Sequence, residues 1–192
     1  MHGGDVERAV TGMLEVLGPH RDGDWSVPAG SLRWSCHRTA AHVAHDLLAY
    51  AGQLAGGART AYLPFDLVVR PRASPGDVLE VVRAAGGILG RTLAGAAPRD
   101  RAWHWGPCDA EGFAAMGVAE TLLHTVDITR GLGVPWTPPA DLCEDVLRRL
   151  FPEAPAGAPV PVLLWCTGRG ELPGRVRRTS WTWRAAVDDG RV

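Results

Sequence analysis

Glu120, His124 and Asp127 follow Met116 at spacings of four, eight and eleven residues. A helix turns every 3.6 residues, so these four side chains share one stripe, bordered by Phe113 and Leu123. A carboxylate and an imidazole on a core-facing stripe need a partner, because burying an unpaired polar or charged group costs several kcal/mol. A divalent cation would satisfy both at once. An exposed polar pair is the alternative reading of Glu-x-x-x-His taken alone. A third ligand must come from elsewhere, and His42 sits between the apolar Ala41 and Val43. His45, a turn further on, is the substitute candidate. Two histidines and a carboxylate form an open set suited to zinc, with nickel, iron or manganese as alternatives. Three protein ligands leave room for a water or a thiolate. Asp127, one turn beyond His124, either orients that histidine or a neighbour, or is a carboxylate on the helix surface or capping a loop.

Other residues are candidates for substrate contact. Trp103, His104 and Trp105 stand just before the metal-bearing stripe and either line a substrate mouth or pack on the body of the protein. Arg83, with Arg70 and Arg72, could meet an anionic substrate; solvated arginines are the simpler reading. Cys36 and Cys108 precede the two metal-bearing segments and read as buried, inert thiols. His37 and Arg38 are expected to face solvent.

The apolar spacing predicts the elements that must position these groups. Val6, Ala9, Val10, Met13, Leu14 and Leu17 share a helix face, stopped by Gly18-Pro19. A second helix runs from a Ser35 cap to about Leu54, ended by Gly56-Gly57. Residues 59 to 72 are extended or irregular, broken by Pro64 and Pro71. Ser74-Pro75-Gly76-Asp77 opens a third helix to about Leu93, with Ser74 capping, Pro75 where a missing N–H is harmless, and Asp77 in the capping-box position. Gly86, Gly87 and Gly90 weaken it intrinsically and permit close packing. Asp109 caps a fourth helix to about Gly131, and a shorter one spans Leu142 to Leu150. Pro152 to Pro161 reads as a linker, Val162 to Thr167 as a short helix, and Trp181 with Trp183 as a short strand or an extended tail laying indoles on the body. The expected fold is mainly α: an antiparallel four-helix bundle over residues 1–150 and a short C-terminal extension, 151–192, packed on it.

Composition narrows the function. All 20 basic residues of the 192 are arginine, against 21 acidic ones, for a formal net charge of −1. No basic field exists to hold nucleic acid or anionic lipid. The absence of Lys and Asn, with Ile only at Ile88 and Ile128, reflects GC-rich coding and not the fold. Four cysteines without a CxxC spacing read as reduced thiols. No signal peptide and no membrane span are visible, so a cytoplasmic protein is expected, either monomer or homodimer.

The strings Asp24-Trp25, Leu32-x-Trp34-Ser35 and Ala41-His42-Val43 resemble the N-terminal signature of the DinB-like bundle proteins. Gly112-Phe113-Ala114-Ala115-Met116 and Glu120-x-x-x-His124-x-x-Asp127 resemble the fourth-helix signature of the mycothiol-dependent maleylpyruvate isomerase branch. The resemblance covers Val6 to Leu150. It implies that His42, Glu120 and His124 hold a divalent metal, usually zinc, and that mycothiol is the cosubstrate. Such a metal binds the thiol as its thiolate, which attacks an electrophilic carbon of a small metabolite or toxin. Isomerisation follows if the adduct rotates and expels the thiol; S-transfer follows if it does not. The isomerases proper carry a sizeable C-terminal domain, where this chain has residues 151–192. Two other expectations stand beside this one: a non-catalytic ligand-binding or self-resistance protein, and a thiol-independent tailoring enzyme of natural-product biosynthesis on the same bundle.

Overall fold

Each long helix begins where a side chain can satisfy its first free N–H groups. The computed structural model describes residues 1–70 and 72–187; Pro71 and residues 188–192 of the extension lie outside the described residues. Helix α1 spans Gly3–Leu17 and starts before the apolar pattern does. His2 is the reason: its ring accepts from the Gly4 N–H, while the Asp5 carboxylate accepts from the His2 N–H. Helix α2 spans Cys36–Gly56, with the Ser35 hydroxyl accepting from the Arg38 N–H and Gly57 closing the end in the left-handed conformation, φ +58°. Helix α3 spans Pro75–Gly95 and opens with the reciprocal Ser74–Asp77 capping box. Helix α4 spans Ala110–Leu132 behind an Asp109 cap. Helices α5 (Ala140–Leu150) and α6 (Pro159–Cys166) complete the six α-helices of the described residues. Two two-residue strands, β1 (Ala102–Trp103) and β2 (Pro107–Cys108), pair antiparallel between α3 and α4.

Helix α4 is the centre of the packing. It touches α1, α2, α3 and α5, and nearly every residue from Gly112 to Thr129 is buried. A helix buried all round must bring its own partners for polar side chains. Thr121, Thr125 and Thr129 do so by donating to the carbonyls of Gly117, Thr121 and Thr125. Helix α1 packs on α3 and α4, and so does α2. Phe113, Met116, Met13, Leu47 and Leu89 fill the interior without exposure. The crossing of α1 and α3 is close because glycines make it so: a Cβ on Gly3 would stand 2.8 Å from the Gly90 carbonyl oxygen.

Several segments differ from the sequence-based expectation. Helix α6 starts at Pro159, inside the stretch read as a linker, because Pro159 and Pro161 occupy first-turn positions that need no N–H. The tail around Trp181 and Trp183 forms no strand; it lies extended on the body, with the Arg184 N–H on the Leu150 carbonyl and the Val187 N–H on the Pro107 carbonyl. His37 is half-buried, its Nε2 2.8 Å from the Ala73 carbonyl oxygen, tying the first turn of α2 to the approach to α3. No helix of the described residues is long and apolar enough to cross a membrane.

Candidate metal centre

Helices α2 and α4 lie side by side, and their facing surfaces carry the polar groups that the core cannot otherwise hold. His42 projects from α2; Glu120 and His124 project from α4, one turn apart. One ligand atom from each falls within 4.8 Å of the other two. The Glu120 Oε2 stands 3.0 Å from His124 Nε2 and 3.8 Å from His42 Nε2. Among the described residues these three form the one cluster of metal-ligating types with such convergence. They open on a cavity of about 310 Å³, walled by Leu32, Trp34, Leu123, Arg169 and Trp181.

The two imidazoles are in opposite states. Burial lowers His42 to about 4 against the pull of Glu120, so its ring is neutral and Nε2 can offer a lone pair. Burial also opposes charge on His124, yet hydrogen bonds to Asp127 and Glu120 hold it up to about 9. Burial would raise Glu120 as well, but His124 and His42 keep it below the ordinary carboxylate range. A protonated His124 is thus the positive charge that Glu120 and Asp127 face.

Asp127 sets the orientation of His124. Its Oδ2 lies 3.0 Å from His124 Nδ1, so Nδ1 carries the hydrogen and Nε2 is turned toward Glu120 and the cavity. Asp127 is 1% exposed and is gripped in turn by Arg169: Nε lies 3.1 Å from each carboxylate oxygen and Nη2 lies 2.8 Å from Oδ2. Arg169 follows α6 and belongs to the C-terminal extension, so that segment reaches the site itself. Sequence reasoning missed Arg169, and no local pattern points to it.

It also missed Asp46, which one helical turn from His42 could have indicated. Its Oδ2 lies 3.3 Å from His42 Nε2. Burial, then the Glu120 carboxylate, push the Asp46 carboxyl up to about 8. Trp34 packs edge-on to His42 with ring centroids 5.0 Å apart.

The remaining candidates are scattered. His45 stands outside the cluster; its Nε2 is buried without a hydrogen-bond partner and lines a second cavity on the far side of Asp46. His104 lines that same cavity, whereas Trp103 is held on the strand pair by backbone bonds to Ala58 and from Gln53. Arg83 is exposed on α3, paired with Glu80 at 3.2 Å, and borders neither cavity. All four cysteines are free and buried, and burial pushes Cys36 up to about 11 and Cys108 and Cys143 up to about 12. None is a thiolate near neutral pH, so the chain offers no nucleophilic sulfur of its own.

Searches of curated proteins and of solved structures returned no significant match. Residues 6–129 match the family described as the mycothiol maleylpyruvate isomerase N-terminal domain, a stretch that contains every residue of the His–Glu–His cluster, and the chain belongs to that family.

Proposed function

We propose that this protein is a divalent-metal-dependent, mycothiol-using S-transferase or isomerase that acts on a small electrophilic metabolite or toxin. The observation that carries this reading is the convergence of His42 Nε2, Glu120 Oε2 and His124 Nε2 beneath a cavity large enough for a thiol. Helices α1 to α4 would be the antiparallel four-helix bundle of DinB-like proteins, with residues 151–192 as an extension whose described part, residues 151–187, would pack on it and complete one wall of the site through Arg169 and Trp181. Zinc suits the set best, because two imidazoles and a carboxylate are typical of open zinc sites. When bound, the metal would supply the Lewis acidity that keeps a low-molecular-weight thiol deprotonated at neutral pH.

The protein's own side chains have distinct tasks. His42, Glu120 and His124 would hold the ion. Asp127 keeps His124 in the Nδ1–H tautomer, and Arg169 keeps Asp127 ionised and in place. Trp34, Leu123 and Trp181 give the cavity an apolar wall. The buried, protonated cysteines stay out of the reaction, so the attacking sulfur must come from a cosubstrate.

The test is turnover. Zinc-loaded protein is incubated with mycothiol and monochlorobimane, and formation of the fluorescent thioether is followed. Thioether formation that is lost in His124→Ala supports the reading. Absence of adduct with zinc, nickel, iron and manganese forms alike, and with several electrophiles, would contradict it; tight binding of either small molecule without turnover would favour a sequestering protein.

A further inference from the structure

Asp46 forms the wall between the His–Glu–His cluster and a second cavity of about 350 Å³. The rings of Tyr50, Tyr62, Phe65, His104 and Phe113 line it, and they meet edge-on or tilted: Tyr50 to His104 at 5.8 Å, Tyr62 to His104 at 5.7 Å and Tyr50 to Phe113 at 6.1 Å. Walls of this kind favour a flat, unsaturated guest, whose edge and face can both meet ring quadrupoles. The volume falls in the range of small-molecule sites.

One buried polar atom in these walls lacks a partner, and a half-exposed hydroxyl at the rim has a hydrogen to spare. His45 Nε2 is buried and unbonded, with the Asp66 carboxylate 3.6 Å away, beyond hydrogen-bond reach. The second group follows from tautomer bookkeeping on His104. The indole Nε1–H of Trp183 can only donate, and it points to His104 Nε2 at 3.4 Å, so that nitrogen accepts. Burial keeps the His104 ring neutral at physiological pH. Its one hydrogen therefore sits on Nδ1 and is donated to the Tyr62 oxygen, 3.3 Å away. The Tyr62 O–H is left free to donate elsewhere.

We infer that this cavity binds a flat, conjugated carbonyl compound, its ring system lying against the Tyr50 and Phe113 wall and its oxygen accepting from the Tyr62 hydroxyl and from His45. That such a compound is the electrophilic substrate rests on the thiol-transfer reading above; that the cavity binds it does not. The pocket abuts the metal-ligating cluster through Asp46, so a guest there would lie beside the site where the thiol is expected.

The inference is tested with 2-acetylnaphthalene, a flat ketone inert to thiols, and 2-ethylnaphthalene, its near-isosteric hydrocarbon. Binding of each is measured by calorimetry on the full-length protein, with and without chelator. The ketone is expected to bind about three- to tenfold more tightly than the hydrocarbon, the value of one or two neutral hydrogen bonds, and equally well without metal. Tyr62→Phe should reduce that preference while leaving hydrocarbon binding unchanged. Ala49→Trp, which fills the cavity from its half-buried wall, should abolish both, with thermal melting confirming that the variant is folded. No binding to the wild type, no preference for the ketone, or undiminished binding to folded Ala49→Trp would each overturn the inference. Failure of the zinc and mycothiol assay alongside normal ketone binding would instead count only against the thiol-transfer reading.

Discussion

Removing the Arg169 guanidinium should destabilise the protein far more than a typical ion-pair loss, although the residue lies in the C-terminal extension. The Arg169 side chain is 9% exposed and that of Asp127 is 2% exposed, so solvent cannot replace the lost partner. Breaking a buried pair by deleting one member costs ~3–5 kcal/mol, because the other charge stays buried. Here His124 remains 3.0 Å from Asp127 and keeps a positive partner in place. The expected cost of Arg169→Met is therefore at the lower end, ~3 kcal/mol, against a typical total stability of ~5–15 kcal/mol. With a urea slope of ~2 kcal/mol per molar, the midpoint should fall by ~1.5 M. Asp127→Asn removes the charge that Arg169 serves, while its amide oxygen still accepts from His124 Nδ1. The double variant should consequently be more stable than the sum of the two single losses predicts, by ~1.5 kcal/mol or more. Urea unfolding of all four proteins, followed by far-UV circular dichroism, reads this directly. A midpoint shift below ~0.3 M for Arg169→Met, or strict additivity of the pair, would show that the extension is not tied to the site by this contact.

Other consequences are simpler to read. Asp109 caps α4 by accepting from the Gly112 N–H and pairs with Arg149 at 2.8 Å. Burial would raise its carboxyl, but the bonds from Arg149 and Gly112 outweigh that and hold it below the ordinary range. Its folded value thus lies below its unfolded one, so its contribution is complete above ~4 and fades as pH falls through the folded value. Asp109→Ala should cost ~1–2 kcal/mol near neutral pH, the sum of a cap and a partly exposed pair, and progressively less as the carboxyl is protonated in acid; urea midpoints measured from neutral into acid pH check it. A Cβ on Gly86 would stand 2.8 Å from Val10 Cγ2, whereas nothing lies within 4 Å of one on Gly12. Alanine gains up to ~1 kcal/mol over glycine in a helix, and overpacking costs ~1–3 kcal/mol. Gly12→Ala should therefore raise the melting temperature and Gly86→Ala should lower it; shifts of the same sign would contradict this packing.

The helices were legible because apolar spacing and end signals agree in α2, α3 and α4: Ser35, Ser74 and Asp109 each cap as their residue types suggest. The start of α1 was not, since histidine is an unusual cap and Gly3-Gly4 reads as a loop until the close approach to Gly90 is seen. The two-residue strands are too short to leave an alternating pattern. At the site, helical periodicity puts Glu120 and His124 on one stripe of α4, while it leaves His42 and His45 both open on α2; the family resemblance is what singled out His42. Periodicity says nothing of Arg169 and Trp181, which arrive from an irregular segment 42 or more residues beyond Asp127. Trp103, His104 and Trp105 part company for a similar reason: the turn after β1 holds Trp105 at φ +57°, 78% exposed, while His104 is turned inward to the second cavity. Neighbours in an irregular loop need not share a destination.

In the function proposed here, His42, Glu120 and His124 hold one ion between α2 and α4. X-ray absorption at the zinc edge of the purified, zinc-reconstituted protein tests it most directly. About one zinc per chain is predicted, with two imidazoles and a carboxylate oxygen at ~2.0–2.2 Å, no sulfur until mycothiol is added, and loss of the signal in His124→Ala while the helical circular dichroism persists. A chain that retains no stoichiometric zinc, a sulfur neighbour without added thiol, or an unchanged spectrum in His124→Ala would contradict it.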